Sequence, residues 1–330
     1  MTSIVPIDSG GLMLTYKCSC RCRHCLYGAG PGWSDFMDVN DAAQIFQGLI
    51  ETTSVLRGFH LAGGEPFLDF ERLLSIQKLA TEFGVPIEYV ETNAFWCVDE
   101  DVTWHRFEQL REAGLRCILI SCSPFHAERI PLERVNLALR VGVKVFDVLL
   151  WIPEFYYQLA RIRTHEPIKL NEYIDTLSAE VAGTMIRDGY GLITGGRVGY
   201  SLGEFYERKP AEQYEGEHCT FELLKSGHAH FDPYGNLIPA FCSGISLGDA
   251  RKLATLFRSF DLKKLPIVQT LTDGGPHKLY VMAVEEFGYE PLPGGYIGKC
   301  HLCVDVRKWI RMRTNQFAEL NPLQFYQELD

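Results

Sequence analysis

Four cysteines fall within eight residues near the start of this chain, at Cys18, Cys20, Cys22 and Cys25, and no other feature constrains its fold so tightly. Clustered thiols in a reducing compartment are metal donors rather than disulfide partners. The total of 11 cysteines is odd, which also argues against a disulfide framework. Residues 11–17 (GLMLTYK) read as a strand that runs into the cluster, so the thiols sit on the loop directly after it. Cys18, Cys22 and Cys25 form C-x-x-x-C-x-x-C. Three thiolates on one loop can bind three irons of a four-iron cube and leave the fourth iron open to a small molecule. A zinc finger would pair C-x-x-C with a second pair close by, and none follows. Cys20 leaves a second ligand set available, Cys18-x-Cys20-x-Cys22, and is read here as a spare thiol.

After that loop the chain alternates. Strand-like runs at 55–61, 86–91, 115–120 and 143–150 are separated by helical periodicity at 40–51, 69–83, 99–113 and 131–141, with Asn40 as the expected N-cap of the first helix. A longer, mostly helical stretch covers 153–188, and a last short strand is expected at 190–194. Strands alternating with helices imply parallel pairing and right-handed crossovers. A full eight-unit barrel takes about 250 residues, so residues 11–205 suit a partial (β/α)6, TIM-like barrel. The composition shifts near residue 210. A turn at 231–236 between HAHF and LIPAF predicts a hairpin, further breakers stand at 272–276 and 291–295, and helical periodicity returns at 304–328. Residues 206–330 therefore read as a small, loop-rich α+β module. The glycine-rich and polar motifs follow the strands, at the edge of parallel α/β folds where chemistry gathers.

The cysteine spacing, followed by Leu26-Tyr27, resembles the radical S-adenosylmethionine superfamily. So does Gly63-Gly64-Glu65-Pro66, 38 residues beyond Cys25 at the end of the next strand. The resemblance implies that Cys18, Cys22 and Cys25 hold a 4Fe–4S cluster and that the Gly63–Pro66 turn binds the methionine amino group, with Glu65 as the charged partner of its ammonium. It extends to His24 before the third cysteine, Thr92-Asn93 at the end of the third strand, Ser121 after the fourth, and Arg197 of the Gly196-Arg197 pair. Arg129 or Arg134 could reach the cofactor carboxylate, as an arginine after the fourth strand does in some relatives. The family chemistry is one-electron cleavage of S-adenosylmethionine to a 5′-deoxyadenosyl radical that removes hydrogen from a substrate. The two glycines are expected to let main chain approach the ligand.

Only Cys219, Cys242, Cys300 and Cys303 lie beyond the barrel. Four thiols suit one fully ligated 4Fe–4S cluster or one zinc, and unligated thiols are the plain alternative. The order of hairpin, Cys242 and a later C-x-x-C resembles the twitch form of the SPASM-type auxiliary module. SPASM proper needs further cysteines for a second auxiliary cluster, and none remain. Among the other cysteines, Cys97 and Cys117 read as packing residues. Cys122 and His126, which follow the fourth strand, are the only candidates for hydrogen-atom or proton transfer.

Charge and hydropathy narrow the function classes. Lys and Arg number 32 against 42 Asp and Glu, a net charge of −10 that excludes a general nucleic-acid binder. With 46% hydrophobic and 22% charged residues the chain is not disordered. No apolar run approaches the roughly 18 residues of a membrane span. Residues 1–10 carry no secretory pattern, and a cytoplasmic location is expected. The leading reading is an oxidation or rearrangement of a small molecule, fed electrons by a flavodoxin or ferredoxin. With about ten residues before the first strand, the N-terminal recognition domain of many peptide-modifying relatives is not expected. A peptide maturase and a non-enzymatic, metal-stabilised binding protein are the alternatives.

Overall fold

The computed structural model describes residues 4–330. Seven strands form one open sheet in the order β5-β4-β3-β2-β1-β6-β7. They are β1 (Ser9–Met13), β2 (Gly58–Ala62), β3 (Ile87–Thr92), β4 (Cys117–Ser121), β5 (Asp147–Trp151), β6 (His228–Phe231) and β7 (Leu237–Pro239). All neighbours are parallel except the β6–β7 hairpin. The mixed α/β fold of the sequence reading is therefore present, as a sheet that curves without closing.

Helices α1 (Val39–Thr52), α2 (Phe70–Phe83), α3 (Glu100–Glu112), α4 (Pro124–Ala127) and α5 (Leu132–Val145) connect the first five strands. α1 buries Ala42, Ile45, Phe46 and Leu49, an i, i+3, i+4, i+7 stripe directed at the sheet. Its N-cap is Asp38, not Asn40: Asp38 Oδ1 accepts from the Asn40 N–H at 2.8 Å. The β-branched run at 141–145 finishes α5, whose buried stripe runs from Leu132 to Gly142, so β5 begins four residues later than its composition implied. Sheet side chains alternate. Leu12, Phe59, Leu61, Val90, Ile118 and Ile120 are fully buried under the helices. Their neighbours in sequence, among them His60, Tyr89, Glu91, Leu119 and Ser121, face a cavity on the other side.

The sixth strand is the main departure from expectation. Residues 190–194 form turns and bends rather than a strand. The sixth parallel position is filled by β6, which lies against the opposite edge of β1. The expected hairpin does form, its turn organised by Asp232, whose Oδ1 accepts from the Tyr234 and Asn236 N–H groups at 3.0 and 2.9 Å. One sheet thus continues from the first module into the second. In the helix Pro266–Phe287 the expected breaker appears as a kink at Gly274 and Gly275. Among the described residues no helix is long and apolar enough to cross a membrane.

β1 can carry β6 so closely because Gly10 has no side chain. Its φ is +150°, and a Cβ there would lie 1.8 Å from the Ala229 carbonyl oxygen. Gly10→Ala should therefore destabilise the fold by about 3 kcal/mol, read as a lower urea midpoint at unchanged slope.

Candidate functional site

Most of the residues the sequence placed after β1 to β4 meet at one edge of the sheet. Cys18, Cys20, Cys22 and Cys25, the Ala62–Gly64 main chain, Thr92, Asn93 and Ser121 line a single cavity of about 500 Å³. The cysteine loop is fastened to that edge from two sides. On one side Gly64 N–H donates to the Thr15 carbonyl at 2.6 Å and Glu65 N–H to the Lys17 carbonyl at 2.9 Å. A Cβ on Gly64 would stand 2.0 Å from Lys17 O, and one on Gly63, at φ +136°, 2.4 Å from Thr15 O. The glycines therefore serve the approach of one main chain to another. Both glycines also line the cavity.

On the other side stands Arg197, fully buried. Its guanidinium donates to the carbonyls of Cys22 (3.1 Å), Ala29 (2.6 Å) and Glu328 (2.9 Å), and its N–H donates to the Cys25 carbonyl at 3.1 Å. Arg197 is not among the residues that line the cavity. It clamps the loop from behind.

Glu65 likewise turns away from the cavity. Oε1 accepts from Thr92 Oγ1 at 2.9 Å and the Phe67 N–H at 3.2 Å, and Oε2 accepts from the Asn93 N–H at 2.8 Å. Burial pushes its pKa up to about 7 against the pull of those hydrogen bonds. The carboxylate staples the glycine turn to the end of β3. Asn93 extends the staple to the cysteine loop, donating to Ser19 Oγ at 3.2 Å and to Cys18 Sγ at 3.6 Å. Its side chain is turned to these contacts rather than to the cavity lining. The main chain of residues 62–64 faces the cavity instead.

The thiols are crowded and largely dry. Cys20 lies between Cys18 and Cys22, within hydrogen-bonding reach of both. The hydrogen bond with Cys20, together with burial, holds the Cys18 pKa far above the ordinary thiol value. N–H groups already point at sulfur: Cys20 N to Cys18 Sγ at 3.4 Å and Ala29 N to Cys25 Sγ at 3.3 Å. Donors of this kind are what thiolates bound to iron require.

The remaining candidates divide between cavity and core. His24 lines the cavity, its Nε2 2.9 Å from the Tyr190 hydroxyl and its Nδ1 buried without a partner. His126 lines it too, with Nδ1 2.9 Å from Ser123 Oγ. Pro66 also lines it, and Ser121 donates to Glu91 Oε1 at 2.7 Å. Cys122 is buried and points away, as strand alternation demands. Arg129 is exposed and stands outside the lining, while Arg134 donates to the Phe95 carbonyl. Neither arginine reaches the cavity.

The second cysteine set also converges. Cys219, Cys242, Cys300 and Cys303 line one small pocket, the last two on consecutive turns of the helix Lys299–Arg311. Arg307, one turn further, is buried and has no carboxylate partner among the described residues. Its Nε donates to Cys303 Sγ at 3.3 Å and its Nη1 to Ser243 O at 2.9 Å and the Tyr326 hydroxyl at 2.8 Å. A cation buried among thiols with no carboxylate asks for thiolate charge. Among the described residues, no three Cys, His, Asp or Glu donors adopt a single-ion geometry. The thiols surround a space instead.

Several cavity residues went unnoticed in the sequence: His60, Tyr89, Glu91, Tyr190, His228 and His230. The signal for two of them was HAHF, since alternate residues of a strand share a face. Nothing in the local sequence marks the others.

No protein-family profile matches the chain, and no curated protein does. Among solved structures it is similar to BtrN in complex with AdoMet and 2-DOIA, at 12% identity over 84% of this chain and 91% of that one, with a TM-score of 0.47. Native anSMEcpe with bound AdoMet and Cp18Cys peptide is similar at 14% identity over 97% and 95%, with a TM-score of 0.46. Coproporphyrinogen III oxidase (HemN) from Escherichia coli, described as a radical SAM enzyme, is similar at 16% identity over 47% and 41%, with a TM-score of 0.31. These are distant likenesses, and the functional reading rests on the residues themselves.

Two expectations follow from the site. Arg197→Met leaves carbonyls of the cysteine loop without donors and should cost about 3 kcal/mol, seen as a lower melting temperature and poorer iron retention on reconstitution. Burial pushes His60 and His126 down to about 4 and lowers His228 and His230. The unfolded chain then binds more protons between about 4 and 6.5, so stability rises with pH across that window and is lost on acidification. Glu65, raised to about 7, opposes this, as do the raised Asp232 and Glu319, but the lowered histidines outnumber them once His24 and His301 are included. The melting temperature should fall as pH drops below 6.5, and His60→Phe should flatten the slope.

Proposed function

We propose that this chain is a radical S-adenosylmethionine enzyme acting on a small molecule, with Cys18, Cys22 and Cys25 as the three ligands of a 4Fe–4S cluster. One observation carries the reading: these thiols and the glycine turn that follows β2 line the same cavity at the C-terminal edge of a parallel sheet. When bound, the cluster and S-adenosylmethionine supply a 5′-deoxyadenosyl radical that abstracts hydrogen. The main chain of residues 62–64 is offered as the binding edge for the methionine end, with Thr92 and Asn93 holding that edge in place. His24, Tyr190 and His126 wall the cavity beside the thiols and exclude water from it. The neutral His126 imidazole is a proton-accepting group on that side.

Cys219, Cys242, Cys300 and Cys303 are assigned to a second, fully ligated 4Fe–4S cluster of the twitch kind, with Arg307 donating to one of its sulfurs. Ile193 and Phe241 line both cavities, so this second site borders the first. The assignment suits an electron acceptor or relay during oxidation, with an external flavodoxin- or ferredoxin-type donor supplying the first electron. A cavity of about 500 Å³ is the size of a small-molecule site.

Anaerobically reconstituted, reduced protein should convert S-adenosylmethionine to 5′-deoxyadenosine. Substituting Cys18, Cys22 or Cys25 with Ala should abolish this, and Cys20→Ala should retain most of it. Iron should fall from about eight to about four per chain when Cys242 and Cys300 are both replaced by Ala. Zinc in the second site, or full activity in the Cys22→Ala protein, would overturn the corresponding assignment.

A further inference from the structure

The cavity has a second wall that the cluster reading does not use. Strand register places His230 of β6 opposite Gly11 of β1, Gly11 opposite His60 of β2, and His60 opposite Tyr89 of β3. Gly11 is the gap that lets the rings meet: a Cβ there would lie 2.2 Å from His60 Nε2. The His60 and His230 ring centres stand 5.3 Å apart, His228 is 5.1 Å from His230, and Tyr89 stacks on the far face of His60 at 5.1 Å. Three imidazoles from two strands thus form one patch, remote in sequence from Cys18, Cys22 and Cys25.

Their hydrogen bonds fix what the patch can offer. His230 Nδ1 lies 2.8 Å from the Ala240 carbonyl, which can only accept, so the proton is on Nδ1 and Nε2 presents a lone pair. His228 Nδ1 is 3.3 Å from Ser9 Oγ, and its Nε2 is buried without a partner. Glu91 gives one oxygen to Ser121 at 2.7 Å, and its other oxygen takes no hydrogen bond from any described residue. Glu88 lines the same cavity. No Lys or Arg does so among the described residues. The imidazoles are held neutral by burial, so they add no positive charge at neutral pH.

An acceptor fixed on His230 and two carboxylates without a cation select against anions. A phosphate or carboxylate entering here would lose water and meet like charge, whereas a hydroxyl or ammonium would donate into waiting lone pairs. We propose that His60, His228, His230 and Glu91 form the substrate subsite, and that it takes the hydroxyl or amine groups of an uncharged or cationic substrate and refuses phosphorylated ones. The inference rests on the radical reading, because it treats the remainder of the cavity as the cofactor end.

Matched three-carbon probes test it. Anaerobically purified, reconstituted protein with S-adenosylmethionine present is titrated calorimetrically with serinol, glycerol and glycerol 3-phosphate. Serinol and glycerol should each bind at least ten-fold more tightly than the phosphate. Glu91→Gln should erase most of the advantage of serinol over glycerol, and His230→Leu should weaken both about ten-fold with S-adenosylmethionine affinity unchanged. Should His230→Leu fail to fold, His60→Leu serves in its place, and the ranking in the unmodified protein decides in either case. Phosphate binding as tight as serinol, no binding by any probe at tens of millimolar, or wild-type affinities in the variants would overturn the proposal. Failure of the radical reading shows separately, as absence of 5′-deoxyadenosine, and leaves the probe ranking intact.

Discussion

A buried guanidinium without a carboxylate holds each cysteine site together. Arg197 lies behind the first loop and spends its donors on main-chain carbonyls of Cys22, Ala29 and Glu328. Arg307 lies beside the second set and donates to a sulfur, a carbonyl and a phenol. A buried cation is costly unless something negative faces it. Carbonyl dipoles meet part of that need, and thiolates meet the rest. Under the proposed assignment each arginine ties the stability of its loop to the ionisation of nearby thiols, which a bound metal would deprotonate. Filling the sites and completing the fold would then be one process.

The first site gains its rigidity from a chain of short contacts. Gly64 is pressed against Lys17, Glu65 reaches the end of β3, and Asn93 returns from β3 to Cys18. A displacement of any one strand end would be felt at the sulfur atoms. Main chain faces the cavity where a side chain was expected, and side chains do the structural stapling. Backbone suits a binding edge whose geometry must not vary, since it carries no rotamers to order.

The sequence disclosed the motif-bearing half of this arrangement and little of the other. Cys18, Cys22, Cys25 and Gly63 to Pro66 were legible because local spacing and strand-end position encode them. The convergence of Cys219 and Cys242 with Cys300 and Cys303 was legible only as a count of thiols, since three loops far apart in sequence supply it. The structural partners of Gly63, Glu65 and Arg197 are not legible in the sequence for a common reason. Each sits near the cavity, but each is satisfied by partners on another strand or loop, and such partners have no signature in sequence. The missing strand at 190–194 belongs with them. β-propensity there was real, but β6 takes the sheet position by a non-local pairing that no local pattern announces.

That substitution explains how the two proposed redox sites come to share a boundary. Had residues 190–194 formed the sixth strand, the hairpin would have been free to lie apart from the sheet. Instead residues 190–193 wall the cavity, and β6 brings His228 and His230 into it. Three residues after β7, the same hairpin delivers Cys242 to the second pocket, and Phe241 between them borders both. Tyr27, two residues beyond Cys25, has a buried hydroxyl with no partner, and its pKa is raised by burial and then by the proximity of Cys242 and Cys25. A substrate held on the histidine wall would thus lie between a loop that generates a radical and a pocket able to take the resulting electron, with one hairpin fixing both distances. Under the proposed assignment, an oxidation that removes a hydrogen atom and then an electron would use that arrangement, whereas a rearrangement would not. The shared hairpin is the feature that accords with the proposed oxidation.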